Sequence, residues 1–155
     1  MDIAKTEIIE IVYVAEANAL LCTVDNRKLT KENLMETLAV IQATVNTYNS
    51  QGVQLKWCWD LSNITLDITK GGSIQTIHKE LLKIHQLISD TIRGAAIVFS
   101  SSKLSSIFNG LIKILDIEMP TKVFSKGAVP KAMEWLSGVE IRSATPGRKP
   151  RRKFF

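Results

Sequence analysis

The sequence predicts an α/β domain built on a mixed, mainly parallel sheet of about five strands flanked by four helices. Three observations carry this. Short runs of β-branched and apolar residues alternate with longer segments whose apolar residues recur at steps of three and four. The order read along the chain is ββαβαβαβα, and strands alternating with helices imply parallel pairing. The chain has 155 residues, which suits one domain and allows roughly 68–70% of the unfolded surface to be buried without disulfides or metals.

The first two strands are read in Glu7–Val14 and Ala19–Val24, both apolar and β-branched, with the polar stretch Ala15–Asn18 as a hairpin connection. The first helix follows. Thr30 is placed to accept a bond from a first-turn N–H. Leu34, Leu38, Ile41, Val45 and Tyr48 form one helical face, and Gly52 supplies the stop. From Val53 to Leu61 apolar and polar residues alternate. Val53, Leu55, Trp57, Trp59 and Leu61 point one way, and Gln54, Lys56, Cys58 and Asp60 the other, the pattern of a strand with one covered face.

Residues 63–72 read as a loop. A second helix is expected from about Ser73 to Ser89, with Ile74, Ile77, Leu81, Ile84 and Ile88 inward. The run from Gly94 to Ser101 has strand length and reads as buried on both faces. A third helix, capped by Ser101 or Ser102, carries Leu104, Ile107, Phe108, Leu111 and Leu115. Thr121–Ser125 is the last strand. Pro130 opens the closing helix, where its missing N–H costs nothing, and Gly138 ends it. The core expected from these faces includes Ile11, Leu21, Leu38, Ile41, Leu55, Trp57, Trp59, Ile77, Leu81, Ile97, Phe99, Phe108, Phe124 and Trp135.

Charge divides the chain. The net charge is +5. Residues 1–142 hold as many basic as acidic side chains. The excess lies in residues 143–155, where Arg148, Lys149, Arg151, Arg152 and Lys153 meet no acid. A neutral domain, 1–142, therefore carries a basic, extended tail, 143–155. The tail's cations suit an anionic partner, either an acidic protein groove or the phosphates of nucleic acid, and Phe154 and Phe155 suit an apolar pocket beside it. The amino-terminal stretch lacks the basic and apolar regions of a signal peptide, and no apolar run reaches the length of a membrane span. With Cys22 and Cys58 read as reduced and buried, these features lead to an expected cytoplasmic location.

Most chemistries fail on spacing. The Ser100–Lys103 run fits Ser-x-x-Lys but lacks its companion motifs, and serves simply as a helix cap. His78 and His85, seven residues apart on one helix, stand about 10.5 Å apart along its axis, too far for one metal ion. Asp60 and Asp67 fall at the carboxyl end of the central strand, where open α/β sheets bind ligands. No nucleophile is spaced with them, and Asp60 suits a turn cap. Lys70–Ser73 is too short for a phosphate-binding loop. Trp57, Trp59 and Trp135 could stack on bases, but the first two share the apolar strand face. No metal, cofactor or catalytic residue is expected.

Three stretches carry a family likeness: "WCWDLSNI" (Trp57–Ile64), "RGAAIVFSSSKLSSIFNGL" (Arg93–Leu111) and "TKVFSKGAVPKAMEWLSG" (Thr121–Gly138). Together with the element order, they resemble the STAS-like family, small domains related to anti-sigma-factor antagonists, over about residues 7–138. The resemblance implies a protein-binding, non-enzymatic module. In regulatory members of that family a partner kinase phosphorylates a Ser or Thr at the start of the helix after the central strand. Here that place reads "LDITKGGS". Asp67, Gly71 and Gly72 lie in the turn, Thr69 or Ser73 is the candidate hydroxyl, and the family's paired serines are absent. A plain N-cap for the helix is the competing role of Thr69 or Ser73. The expected function is thus an interaction module, regulatory or scaffolding, whose partner is another protein. The alternative is a structural subunit of a larger viral or nucleoprotein assembly, held by its tail.

Overall fold

A computed structural model describes residues 2–25, 27, 30–64, 73–100, 106 and 119–139. Its centre is a six-stranded sheet in sequential order: β1 (Asp2–Lys5), β2 (Ile9–Val14), β3 (Ala19–Val24), β4 (Leu55–Leu61), β5 (Ile92–Phe99) and β6 (Thr121–Ser125). The first three strands pair antiparallel, and β3 to β6 run parallel. Among the described residues there are four helices: α1 (Lys31–Ser50), α2 (Ser73–Lys83), α3 (His85–Thr91) and α4 (Val129–Ser137). The α/β class and the mainly parallel mixed sheet agree with the sequence reading, with one strand more than expected. The extra strand, β1, is four residues with an irregular register against β2, too short for a period-two signal.

Local chemistry explains the boundaries. The β2–β3 loop closes on Asn18, whose φ of 51° is tolerated because Asn can enter the left-handed region. Its N–H donates to Ala15 C=O at 3.1 Å. Its amide oxygen accepts from Tyr13 Oη at 2.9 Å, and its amide nitrogen donates to Gln54 C=O at 3.3 Å. Thr30 caps α1. Its hydroxyl accepts from Asn33 N–H at 3.1 Å, while Asn33 Oδ1 accepts from Thr30 N–H at 2.8 Å, a reciprocal box. At the far end Gly52 takes φ +71°, and Val53 N–H reaches back to Tyr48 C=O at 3.0 Å. Val53 thus belongs to the helix stop rather than to β4, and it is exposed.

The second helix is not continuous. Ile84 breaks it at φ −112°, ψ 14°, with its N–H bonded to Leu81 C=O in a tighter turn. The break re-aims α3 onto α1 while Ile84 and Ile88 stay buried beside Leu55 and Ile92. No proline or glycine marks the position, so periodicity alone runs through it. Residues 101–118 fall outside the described residues except Ser106, which is helical, so the expected third helix and Phe108 lie there.

Two cores flank the sheet. On one face α1, α2 and α3 cover Ile9, Ile11, Leu20, Cys22, Leu55, Trp57 and Ala95, continuing into Leu61, Ile97 and Phe99. On the other, α4 lays Ala132 and Leu136 over Ala19, Cys58, Ala96 and Val98. Of the core residues expected from sequence, Ile11, Leu38, Ile41, Leu55, Trp57, Ile97 and Phe99 are buried, and Leu21, Trp59, Ile77, Leu81, Phe124 and Trp135 are partly so. The tryptophans do not share a surface. Trp57 and Trp59 meet edge-on beneath the three helices, while Trp135 packs near Phe124 on the α4 face.

Leu55→Ala, at a fully enclosed position, is expected to cost about 2–5 kcal/mol in urea unfolding. Leu82→Ala, on the exposed side of α2, should stay within about 0.5 kcal/mol of wild type. Equal losses at both positions would contradict the core assignment.

Candidate functional site

The parallel strands end at one edge, and the loops there are where a sheet of this kind places ligands. The expected recognition residues Asp67, Thr69, Gly71 and Gly72 lie in a segment outside the described residues, as do the tail residues Arg148, Lys149, Arg151, Arg152, Lys153, Phe154 and Phe155. Ser73 is described, and it is the first residue of α2, the helix that follows β4. One turn later Ile77 packs against Leu61, Ile97 and Phe99, the carboxyl ends of β4 and β5. The start of α2 therefore belongs to that edge.

Two carboxylates at the same edge are tied up locally. Asp60 Oδ1 accepts from the Ser62 N–H at 3.1 Å and from its hydroxyl, which caps the turn after β4 as its sequence suggests. Asp25 holds Arg27 in a local ion pair and accepts from the Arg27 N–H at 3.0 Å. The arginine is largely exposed, so the pair contributes little to stability.

The histidines are separated by the break at Ile84. His78 lies within α2 and His85 opens α3. Among the described residues no three His, Cys, Asp or Glu side chains cluster as a metal site would require. Cys22 and Cys58 are free, and they face opposite sides of the sheet. Burial pushes the Cys22 thiol up. Burial and then the Asp60 carboxylate push Cys58 up to about 12. Thiols held so high stay protonated at neutral pH and are poor nucleophiles.

The residue that sequence reading misplaced is Lys56. Alternation along β4 puts it on a polar face, yet it is only 4% exposed. Its stem lies along the α4 side of the sheet, and its ammonium donates to Leu136 C=O at 2.6 Å and to Val139 C=O at 3.2 Å. These carbonyls lie at the end of α4, its negative dipole end, and Leu136 C=O also accepts from Val139 N–H at 3.0 Å. The neighbours make room for it. Ala19 pairs with Lys56 on β3. On β5 the register slips by one, so Arg93 and Gly94 together stand opposite Lys56. A Cβ on Gly94 would come within 3.1 Å of Val139 Cγ1 and 3.3 Å of Lys56 Cγ. The signal available in sequence was the small residue at each flanking position, together with a lone lysine amid Leu55, Trp57 and Cys58.

No protein-family model, curated protein or solved structure matches this chain.

Burial lowers the Lys56 pKa below its ordinary 10.5, so loss of hydration outweighs the two carbonyl bonds. The unfolded chain then binds more protons between the lowered value and 10.5, and folding stability rises with pH across that window. Lys56→Met keeps the stem and removes the charge. It is expected to be neutral to about 4 kcal/mol stabilising near pH 7. It should also erase that alkaline rise, read as the difference between urea midpoints of the two proteins along a pH series. A less stable variant would show that the carbonyl bonds outweigh desolvation, and one that keeps the rise would show that Lys56 does not cause it.

Proposed function

We propose that this chain is a non-catalytic, STAS-like protein-interaction module that meets its partner protein through the connection between β4 and α2. The observation that carries the reading is the opening of α2 at Ser73, the next helix after the central strand, with Ile77 one turn on beside the carboxyl ends of β4 and β5. A helix start offers unpaired N–H groups and the positive end of the helix dipole, which favour a phosphate or an acidic side chain. In this reading Thr69 or Ser73 is the hydroxyl that a partner kinase modifies, with Asp67, Gly71 and Gly72 beside it in sequence.

A second reading rests on charge. Five cations within Arg148–Lys153, with no acid among them, and the aromatic pair Phe154–Phe155 suit an anchor in a larger assembly. The partner would then be an acidic protein surface or nucleic acid.

Pull-downs from a lysate of the source cell, using full-length protein and a form lacking residues 143–155, separate the two. The module reading expects the same protein on both baits, and its loss with Gly71→Arg or Ser73→Asp. Loss on truncation alone, with those substitutions harmless, would transfer the function to the tail. If the tail binds duplex DNA, affinity should fall with salt at a log–log slope of about −0.9 per phosphate contacted. For a protein groove, Phe155→Ala should cost more than any single Arg→Ala.

A further inference from the structure

β6 is the last strand of the sheet, and no strand lies beyond it among the described residues. Its register fixes which backbone groups face outward. Ala95 pairs with Thr121, and its N–H donates to Pro120 C=O at 2.9 Å. In a parallel ladder a residue bridges the two neighbours of its partner. Pro120, Lys122 and Phe124 therefore turn their backbone groups toward β5. Thr121, Val123 and Ser125 turn theirs away from the sheet.

Among the described residues no hydrogen bond engages the outward backbone groups of Thr121 and Val123, while Ser125 C=O accepts from Ala128 N–H at 3.1 Å. Thr121, Lys122, Val123 and Ser125 are all exposed, and Val123 is 37% exposed although apolar. Such an edge is a template for another strand. The opposite edge, β1, is shorter and irregular in register, which blunts it.

We propose that β6 pairs antiparallel with β6 of a second copy of this chain, about a two-fold axis at Val123. The strand is self-complementary in that arrangement. Val123 exchanges both backbone bonds with its own copy, and Ser125 N–H reaches the copy's Thr121 C=O. On one face Val123 meets Val123. On the other, Lys122 stands opposite Phe124 of the second copy, so a cation faces a ring and the two like charges do not oppose each other. Lys122 already lies over its own Phe124, 5.4 Å from the ring centroid. It leaves the edge open, because its backbone faces β5 and its side chain stands off the sheet. Two strands of this length bury less than the roughly 1,200 Å² of the smallest stable interfaces, so the dimer is weak and concentration-dependent.

Sedimentation velocity on the full chain over a concentration series tests this. Wild type is expected to shift from one copy toward two as concentration rises. Val123→Pro removes an outward N–H that β5 does not use. It should remain monomeric throughout with an unchanged circular dichroism spectrum. Val123→Cys is an independent check, since paired residues about 5.5 Å apart at Cα are within disulfide reach. Mild oxidation should link it into a covalent dimer, with Cys22 and Cys58 buried and out of the way. The proposal is overturned by a wild type that stays monomeric at every concentration, the result also expected if β6 serves a strand of another protein. A dimer that survives Val123→Pro, or a Val123→Cys chain that stays unlinked, overturns it equally.

Discussion

The whole arrangement depends on β4 having water on neither face. Leu55, Lys56, Trp57 and Cys58 are consecutive and all buried. Side chains alternate along a strand, so four consecutive buried residues demand a layer on each side. α1, α2 and α3 meet the demand on the face of Leu55 and Trp57, and α4 meets it on the face of Cys58. The two layers differ in kind. The first is built of large aliphatic residues. The second rests on Ala19, Ala96 and Ala132, which let a nine-residue helix lie close to the sheet. A helix that short has little stability alone, so α4 exists because it is docked.

Docking α4 creates the need that Lys56 meets. The helix ends over the sheet, and beyond the Val139 N–H on Leu136 C=O its last carbonyls take further donors. An ammonium rising from β4 supplies them, at a cost in hydration that lowers its pKa. Burying a lysine is a costly way to end a helix. Its advantage is positional, since the two carbonyls fix where α4 stops and where the chain leaves it. Comparable ties secure the amino edge of the sheet. Asn18 joins Tyr13 to Gln54, and Gln54 in turn donates to Asp90 C=O at 3.3 Å.

Legibility in the sequence followed the number of covered faces and the presence of punctuation. α1 was fully readable, because its apolar face, its Thr30 cap and its Gly52 stop each have a local cause. β6 and α4 were readable for the same reason, with Pro130 at the helix start. β4 looked like a half-buried strand because Lys56 counts as polar in any pattern, and only a helix end held above it reverses that. The break at Ile84 has no local signature, as it is imposed by packing against α1. β1 is too short to show a period. At the candidate edge, Asp60 was legible as a turn cap because its acceptor sits two residues before the Ser62 donor. The role of "LDITKGGS" was not legible, since common residue types at a helix start fit both a cap and a recognition loop.

The join between α3 and β5 has a mechanical side. Thr91 is the last helical residue and Ile92 the first of the strand. With no linker there is no slack, and α3 cannot shift along its axis without dragging the strand beside β4. On that side α2 also rests on the sheet, through Ile77 beside Leu61, Ile97 and Phe99. α2 and α3 are thus joined at the Ile84 turn, and both lie against the same face of the sheet. A load on the first turns of α2 therefore bears directly on the carboxyl ends of β4 and β5, through Ile77.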